Sequence, residues 1–361
     1  MNDLKGKNVA IVTLYDSNLG NRLQNYALQK VIEKLGGNVT TFSYKFPLKK
    51  TAKVNIKAVI GACGIKKYKI FHWKKMKDRR CKLFNENYIK HIGPINIDDW
   101  KKIPGSYDYY VAGSDQVWHN WHLAKKELEY FYLQFAPQEK RITYAPSFGF
   151  SGFPESDKEI HKMGLEGIKS LSCREQDGCN LIKELIQKEV IRVIDPTFLL
   201  TVKEWREIEK KPLWISKKKI VTCYFLGTIT DEYRKHISKF EDNPEYQVLY
   251  LNSLHSYDEY SVNPDEFLYL IDNSEAVFTD SFHACVFSLL FHKRFLAFPR
   301  KQEGMEDMKG RIETLFNMLK IKSRWFYDAD IEDDLNVNYD DIIASEKERA
   351  INYLQNCFMQ E

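Results

Sequence analysis

The sequence lacks any apolar run long enough to cross a membrane. Its longest apolar stretch, residues 284–291, is far shorter than the roughly 20 residues that a transmembrane helix needs. The first residues, MNDLKGKN, are polar, and no apolar segment typical of a secretory leader follows them. We therefore expect a soluble protein of the cytoplasm.

The sequence also lacks the cysteine patterns of a metal site or a disulfide framework. Its seven cysteines are scattered, without a Cys-x-x-Cys pair and without a His/Cys cluster of zinc spacing. We expect reduced thiols and no structural metal. Net charge is low at +4, but residues 45–90 hold 15 Lys and Arg against only Asp78 and Glu86.

Short runs of apolar, β-branched and aromatic residues alternate with longer amphipathic stretches, which is typical of an α/β fold. Strands are predicted at residues 8–14, 38–44, 107–111, 141–145, 170–173, 191–194, 220–225, 247–251, 276–279 and 294–298. Helices are predicted at residues 23–35, 155–168, 178–187, 231–239, 264–272, 282–291, 312–319 and 344–358. Parallel sheets with crossover helices are the simplest assembly of this order.

The length of 361 residues exceeds what one hydrophobic core usually organises, and 43% apolar residues suffice to fill two cores. The polar stretch 203–219, which contains Pro212, is the predicted hinge. We predict an N-terminal α/β domain over residues 1–205 and a C-terminal α/β domain over residues 216–335. These two Rossmann-like domains would face each other across a cleft, and a helix within residues 336–361 would pack back on the first domain.

Most of the unusual polar clusters directly follow a predicted strand. They are Gly20-Asn21-Arg22, Gly113-Ser114-Asp115-Gln116, Arg174-Glu175, Asp280-Ser281-Phe282-His283 and Arg300-Lys301. Ligands of open α/β sheets bind outside the carboxyl ends of the strands, so we expect these clusters to converge on one cleft. Simpler roles stay open, because residues 113–115 and 280–281 suit helix caps, and Arg174 can form a surface ion pair with Glu175.

The same clusters resemble the motifs of the polysaccharide pyruvyl transferase family. The matching segments, in the order of the family, are residues 20–29 (GNRLQNYALQ), 111–118 (VAGSDQVW), 144–149 (YAPSFG), 172–175 (SCRE), 195–197 (DPT) and 279–283 (TDSFH). Ala284 departs from many relatives, which carry Gly there. The resemblance implies a two-domain fold of the GT-B type. It also implies an enzyme that uses phosphoenolpyruvate to form cyclic pyruvate ketals on hexoses of cell-surface polysaccharides.

Phosphoenolpyruvate is a small anion, so its site must supply cations in defined places. Arginine pairs a carboxylate through two N–H groups, and a helix start binds phosphate through free N–H groups. The resemblance therefore implies Arg174 for the carboxylate. For the phosphate it implies the helix start at Ser281 and His283, together with either Arg300 or Lys301.

Ketal formation needs C3 of phosphoenolpyruvate to be protonated and a sugar hydroxyl to attack C2. His283 is the predicted proton donor, at C3 or to the departing phosphate, and Asp115 is the predicted base for the hydroxyl. The predicted acceptor-binding residues are Asn21, Gln24, Ser114, Asp115 and Gln116. The reaction needs no metal and no other cofactor.

In pathways of this family the acceptor is often a saccharide on a membrane polyprenyl phosphate, at the cytoplasmic leaflet. The basic segment 45–90 interleaves lysines with apolar residues such as Val54, Ile65 and Trp73. It is either a solvated helical insertion of the first domain or a peripheral contact with an anionic membrane at the inner face of the cell membrane. We expect no nucleic-acid partner, because nothing else in the chain resembles a base-reading module.

Two other functions stay open at this stage. A nucleotide-sugar glycosyltransferase of the GT-B type would share the fold, and a homologue that binds sugar without catalysis would share the motifs. The sequence names neither the acceptor sugar nor the stereochemistry of the ketal.

Overall fold

The computed structural model describes residues 4–15, 18–44, 69–96, 107–119, 125–302, 309–335 and 337–359. The strands are β1 Asn8–Val12, β2 Asn38–Tyr44, β3 His91–Ile95, β4 Tyr109–Asp115, β5 Arg141–Pro146, β6 Ser172–Cys173, β7 Ile191–Arg192, β8 Lys219–Tyr224, β9 Tyr246–Leu251, β10 Ser274–Thr279 and β11 Arg294–Ala297. The helices up to residue 206 are α1 Leu19–Lys34, α2 Lys69–Tyr88, α3 Lys125–Phe131, α4 Lys158–Glu166, α5 Gln176–Ile186 and α6 Val202–Arg206. The later helices are α7 Asp231–Glu241, α8 Tyr257–Tyr260, α9 Pro264–Asp272, α10 Phe282–Leu290, α11 Lys309–Leu319 and α12 Asp340–Met359.

The first sheet has five parallel strands in the order β3-β2-β1-β4-β5. Its central strand β1 is buried from Val9 to Val12, which explains a continuous apolar run rather than an alternating one. Helix α1 begins after Asn18, whose side chain accepts a hydrogen bond from the Asn21 N–H at 3.2 Å. Nearly all of α1 is buried, because it lies between the first sheet and α9.

The second sheet has four parallel strands in the order β11-β10-β8-β9. The short parallel pair β6-β7 lies beside β5, where Ile142 forms a bridge with Ser170. The predicted α/β fold with two parallel sheets is confirmed. Strand β3 and helix α3 were not predicted, because β3 contains Gly93 and Pro94 and α3 is only seven residues long.

Helix α12 connects back to the strands of the first sheet. The Tyr353 hydroxyl donates to the carbonyl oxygen of Thr143 in β5 at 2.9 Å, and the Tyr109 hydroxyl in β4 donates to the carbonyl oxygen of Phe358 at 2.6 Å. Arg192 pairs with Glu346 at 2.8 Å. The boundaries of the two domains remain a prediction. The predicted end of the N-terminal domain, residue 205, lies within α6.

Residues 69–90 of the basic segment are described, whereas residues 45–68 lie outside the described residues. Trp73 is not available to a membrane, because it is buried against Tyr257 and Tyr260 at ring distances of 5.8 Å. Arg80 pairs with Glu266 at 2.7 Å. The exposed cations of α2, which we call the basic face, are Lys69, Lys74, Lys75, Arg79 and Lys82.

Candidate active site

The polar clusters that follow β4, β6 and β10 meet around one carboxylate, that of Asp195. Its Oδ2 atom accepts hydrogen bonds from Arg174 Nη1 at 2.9 Å and from Ser114 Oγ at 3.1 Å. The same oxygen lies 3.7 Å from His283 Nε2. The Oδ1 atom accepts from the N–H and hydroxyl of Thr197, at 3.0 and 2.7 Å. Asp195 therefore holds an arginine and a histidine in one buried network.

Arg174 is surrounded by three carboxylates. Besides Asp195, its Nε donates to Glu175 at 2.8 Å, and its Nη2 lies 3.9 Å from Asp115 Oδ1. The guanidinium also stacks over the Phe282 ring at 4.3 Å. The ion pair with Glu175 thus exists, but it is buried rather than on the surface, since the side chains are only 3% and 7% exposed.

The Asp195 and Asp115 carboxylates and the Arg174 guanidinium are held in their ionised forms. Burial acts to raise the pKa of Asp195, but the adjacent His283 and Arg174 and the Thr197 N–H lower it overall. Burial likewise acts to raise the pKa of Asp115, and His283, Arg174 and Arg311 outweigh it. For Arg174, burial acts to lower the pKa, but the three carboxylates raise it overall.

His283 lies in the first turn of α10 and is fixed by close contact with α1. A Cβ atom added at Gly20 would lie 2.3 Å from His283 Nδ1, so only glycine allows this approach. His283 is 5% exposed, and its Nε2 has no hydrogen-bond partner in the part of the chain that the structure describes. The imidazole is thus buried and held in place by α1.

The loop before α10 has a different role from the predicted helix cap. The Asp280 carboxylate accepts from the backbone N–H groups of Leu226 and Gly227 at 2.7 and 2.8 Å, and Arg300 Nε lies 3.6 Å from it. Burial raises the pKa of Asp280, although Arg300 acts to lower it. The Ser281 side chain makes no cap hydrogen bond. Asp280 therefore joins β10 to the loop after β8 and positions Arg300.

Residues 18–302 match the polysaccharide pyruvyl transferase family. The chain belongs to that family. No curated protein matches the chain. Among solved structures, the chain is similar to the UDP-GlcNAc 2-epimerase of Neisseria meningitidis bound to UDP-GlcNAc, with 10% identity and a TM-score of 0.47 over 97% of this chain and 100% of that one. It is also similar to the ADP-heptose lps heptosyltransferase II of E. coli, with 11% identity and a TM-score of 0.40 over 98% and 99% of the two chains.

Three predicted acceptor residues of this pyruvyl transferase family member lie in the interior. Asn21 Nδ2 donates to Asp115 Oδ2 at 3.1 Å, Gln24 Nε2 donates to Thr13 Oγ1 at 3.0 Å, and Ser114 bonds to Asp195 as described above. All three are at most 1% exposed. Their observed contacts orient Asp115 and its surroundings, and their contact with an acceptor stays a prediction.

The remaining predicted residues lie around this core. Asp115 ends β4 with a φ of 69°, and its Oδ1 accepts from the Gln116 N–H at 2.9 Å. Gln116 Nε2 is buried without a hydrogen-bond partner among the described residues. The side chain of Lys301 is exposed, whereas Arg300 reaches the Asp280 carbonyl oxygen at 3.3 Å.

Sequence reasoning missed Arg311, which lies in the first turn of α11. Arg311 is 8% exposed, and burial together with Arg174 and Arg300 lowers its pKa to about 9. It lines a small pocket with Arg174, Asp195 and Phe282. No sequence motif surrounds Arg311. The only available signal was an arginine near the start of a predicted helix, and that signal does not show that the side chain is buried. Within the described ranges, no group of three or more His, Cys, Asp or Glu side chains is placed to hold a metal ion.

Proposed function

We propose that the chain transfers the pyruvyl group of phosphoenolpyruvate to a hexose of a cell-surface polysaccharide precursor, forming a cyclic pyruvate ketal and releasing phosphate. The observation that carries this proposal is the meeting of Arg174 and His283 on the Asp195 carboxylate. An anionic substrate needs the fixed cation, and proton transfer to carbon needs the oriented imidazole. Membership of the family supports the same reaction class.

Phosphoenolpyruvate would bind between Arg174 and the start of α10. Arg174 Nη2 is buried and has no hydrogen-bond partner among the described residues, so it can donate to the substrate carboxylate. The free N–H groups that follow Ser281 and the guanidinium of Arg300 would hold the phosphate. Lys301 follows directly and is the alternative cation at this position.

Protonated His283 would donate its Nε2 proton to C3, where the C2–C3 π electrons form the new C–H bond and leave C2 cationic. The first sugar hydroxyl attacks C2 and gives its proton to the ionised Asp115, from which it can return to His283. The second hydroxyl then displaces phosphate at C2, and its proton leaves with the phosphate. Asp195 stabilises the charged imidazole and keeps its orientation, as carboxylates do for catalytic histidines.

The acceptor would be a saccharide carried on a polyprenyl phosphate at the cytoplasmic leaflet. The basic face of α2 supports this part of the proposal, since each cation near an anionic leaflet contributes about 1 kcal/mol. No helix within the described residues combines the length and apolarity that a membrane span requires.

Two measurements test the proposed function together. Phosphoenolpyruvate, but not UDP or UDP-GlcNAc, should raise the melting temperature, and at 100 times Kd a ligand stabilises by about 2.7 kcal/mol. Incubation with phosphoenolpyruvate and nitrophenyl hexosides should release phosphate in equal amount to a product that has gained a pyruvylidene group. Stabilisation by UDP-sugars alone, with sugar transfer from them, would instead identify a glycosyltransferase.

A further inference from the structure

A cleft of about 380 Å³ opens beside the Asp195 network and is lined by groups that the proposed chemistry does not use. Its walls come from residues 148–151 after β5, from the first turn of α5 and from the first turn of α11. Its volume falls in the range of about 300–1,000 Å³ in which small molecules bind. The cleft is therefore large enough to hold a substrate.

The lining of the cleft combines an aromatic surface with hydrogen-bonding groups of both kinds. Phe150 is half-buried, because it packs on Phe148 and Phe153 at ring distances of 5.5 Å while it also lines the cleft. Asp177 of α5 and Glu313 of α11 are exposed carboxylates of the lining. Carboxylates only accept hydrogen bonds when ionised, and hydroxyl groups can donate them.

The charges of the lining favour a neutral ligand rich in hydroxyl groups over a small anion. Glu175 is already paired with Arg174, and the remaining charges of the lining balance, with Asp177 and Glu313 negative and Lys309 and Arg311 positive. An anion would be repelled by the carboxylates, whereas a sugar can donate to them and accept from the two cations. The apolar C–H face of a sugar ring would lie on Phe150.

The cleft adjoins the network at two shared residues. Glu175 and Arg311 line both the cleft and the small pocket that also contains Arg174 and Asp195. A ring that occupies the cleft therefore has one edge directed at the Arg174 side, where the proposed C2 of phosphoenolpyruvate would lie. The cleft is therefore adjacent to the proposed phosphoenolpyruvate site.

We propose that this cleft is the acceptor subsite, in which a neutral hexose stacks on Phe150 and donates hydroxyl hydrogen bonds to Asp177 and Glu313. The inference rests on the proposed pyruvyl transfer, because it names the site of the second substrate. Asn21 and Gln24 are at most 1% exposed, so they could contact an acceptor only after a rearrangement of the interior, whereas the residues of the cleft need none.

The test compares Phe150→Ala and Asp177→Asn with matched controls. Phe153→Ala removes a ring of the same aromatic cluster that does not line the cleft, and Asp231→Asn removes a first-turn carboxylate from α7. With a panel of nitrophenyl galactoside, glucoside, mannoside and N-acetylglucosaminide, the two cleft variants should raise the acceptor KM about 10-fold, the loss of one good contact. The KM for phosphoenolpyruvate should stay within about 2-fold for all four variants.

A binding assay separates this inference from the proposed reaction. In saturation-transfer NMR without phosphoenolpyruvate, the wild type and Phe153→Ala should bind a hexoside of the panel, and Phe150→Ala should lose the signal. If the wild type and Phe153→Ala bind the hexoside and Phe150→Ala does not, but the protein neither binds nor consumes phosphoenolpyruvate, the proposed reaction is refuted and the sugar subsite is still supported. The inference is overturned if the wild type binds no hexoside, or if both cleft variants bind and react as their controls do.

Discussion

Asp195→Asn perturbs the network with the smallest possible change of shape. The amide keeps an oxygen that can accept from the Thr197 N–H, but it loses the charge that faces Arg174 and His283. Arg174 retains Glu175 at 2.8 Å, so the guanidinium stays partly neutralised. The variant should therefore fold, with a lower free energy of unfolding and a disoriented imidazole.

The structure sets the size of both effects. Removal of one partner from a buried ion pair costs about 3–5 kcal/mol, and the retained Glu175 places this variant near the lower limit, about 3 kcal/mol. Two unit charges about 4 Å apart interact by about 4 kcal/mol at an effective dielectric constant of about 20. Loss of that attraction for a protonated His283, which lies 3.7 Å away, corresponds to a fall in kcat/KM of about 10²–10³-fold.

The stability effect should also depend on pH. The pKa of Asp195 is lowered in the folded state, so its stabilisation is present above the unfolded value of about 3.9 and is lost as the pH falls towards the folded value. Urea unfolding should thus show the largest difference between wild type and Asp195→Asn at neutral pH, and the difference should shrink progressively as the pH falls below about 3.9.

Asp265→Asn is the matched control for this prediction. Asp265 is 2% exposed and pairs with Lys210 at 2.9 Å, but it lies outside the Asp195 network. It should lose stability while kcat/KM stays within about 2-fold. A folded Asp195→Asn with near wild-type kcat/KM would refute the reasoning, because the carboxylate would then neither orient His283 nor hold Arg174 for the substrate.

Four further results are expected. Arg174→Ala and His283→Ala should each lower kcat/KM by at least about 100-fold, the first mainly through the phosphoenolpyruvate KM and the second through kcat, as steady-state kinetics would show. Activity should survive EDTA, because the proposed anion ligands are arginines and N–H groups; loss on chelation with rescue by one divalent metal would contradict this. Burial lowers the pKa of His161 to about 4, so the unfolded chain binds a proton there at a higher pH than the folded protein does. The free energy of unfolding of the wild type should therefore fall by about 3 kcal/mol between about pH 6.5 and about pH 4. In a pH series of urea unfolding curves, His161→Leu should show a smaller decline. Glutamine substitutions across the basic face of α2 should reduce cosedimentation with anionic liposomes. Binding of the wild type to these liposomes should also weaken at several hundred millimolar salt. Equal recovery of the wild type with neutral liposomes would show that the basic face is ordinary solvated surface.

The sequence allowed the fold to be predicted because its strands carry strong local signals. Buried parallel strands show continuous apolar runs, as in β1 and in residues 276–278 of β10, and polar residues at their carboxyl ends share one edge of the sheet. That rule predicts that Asp115 and Arg174 lie close together, as they do in the structure. It also predicts the proximity of His283, which follows a strand of the second sheet and lies in the same network.

What the sequence could not reveal depends on contacts between distant segments. In the sequence Asp195 stood only within the 195–197 motif and had no assigned role, because its place as the shared partner of Arg174 and His283 arises only when three loops meet. Asn21 was predicted to precede the helix over residues 23–35 and to bind the acceptor, but it lies within α1 and is buried. Arg311 reaches the network only through the position of α11, which no local pattern encodes.

Transfer carried out in D₂O tests the central claim most directly. If solvent-exchanged His283 protonates C3 of phosphoenolpyruvate, the methyl group of each ketal formed on a hexoside must carry one deuterium, and phosphate must appear in equal amount. Mass spectrometry of the product should show this single deuterium with wild type, and His283→Ala should form the product at least about 100-fold more slowly. Phosphate release without a ketal, or a ketal whose methyl group contains no deuterium, would contradict the account.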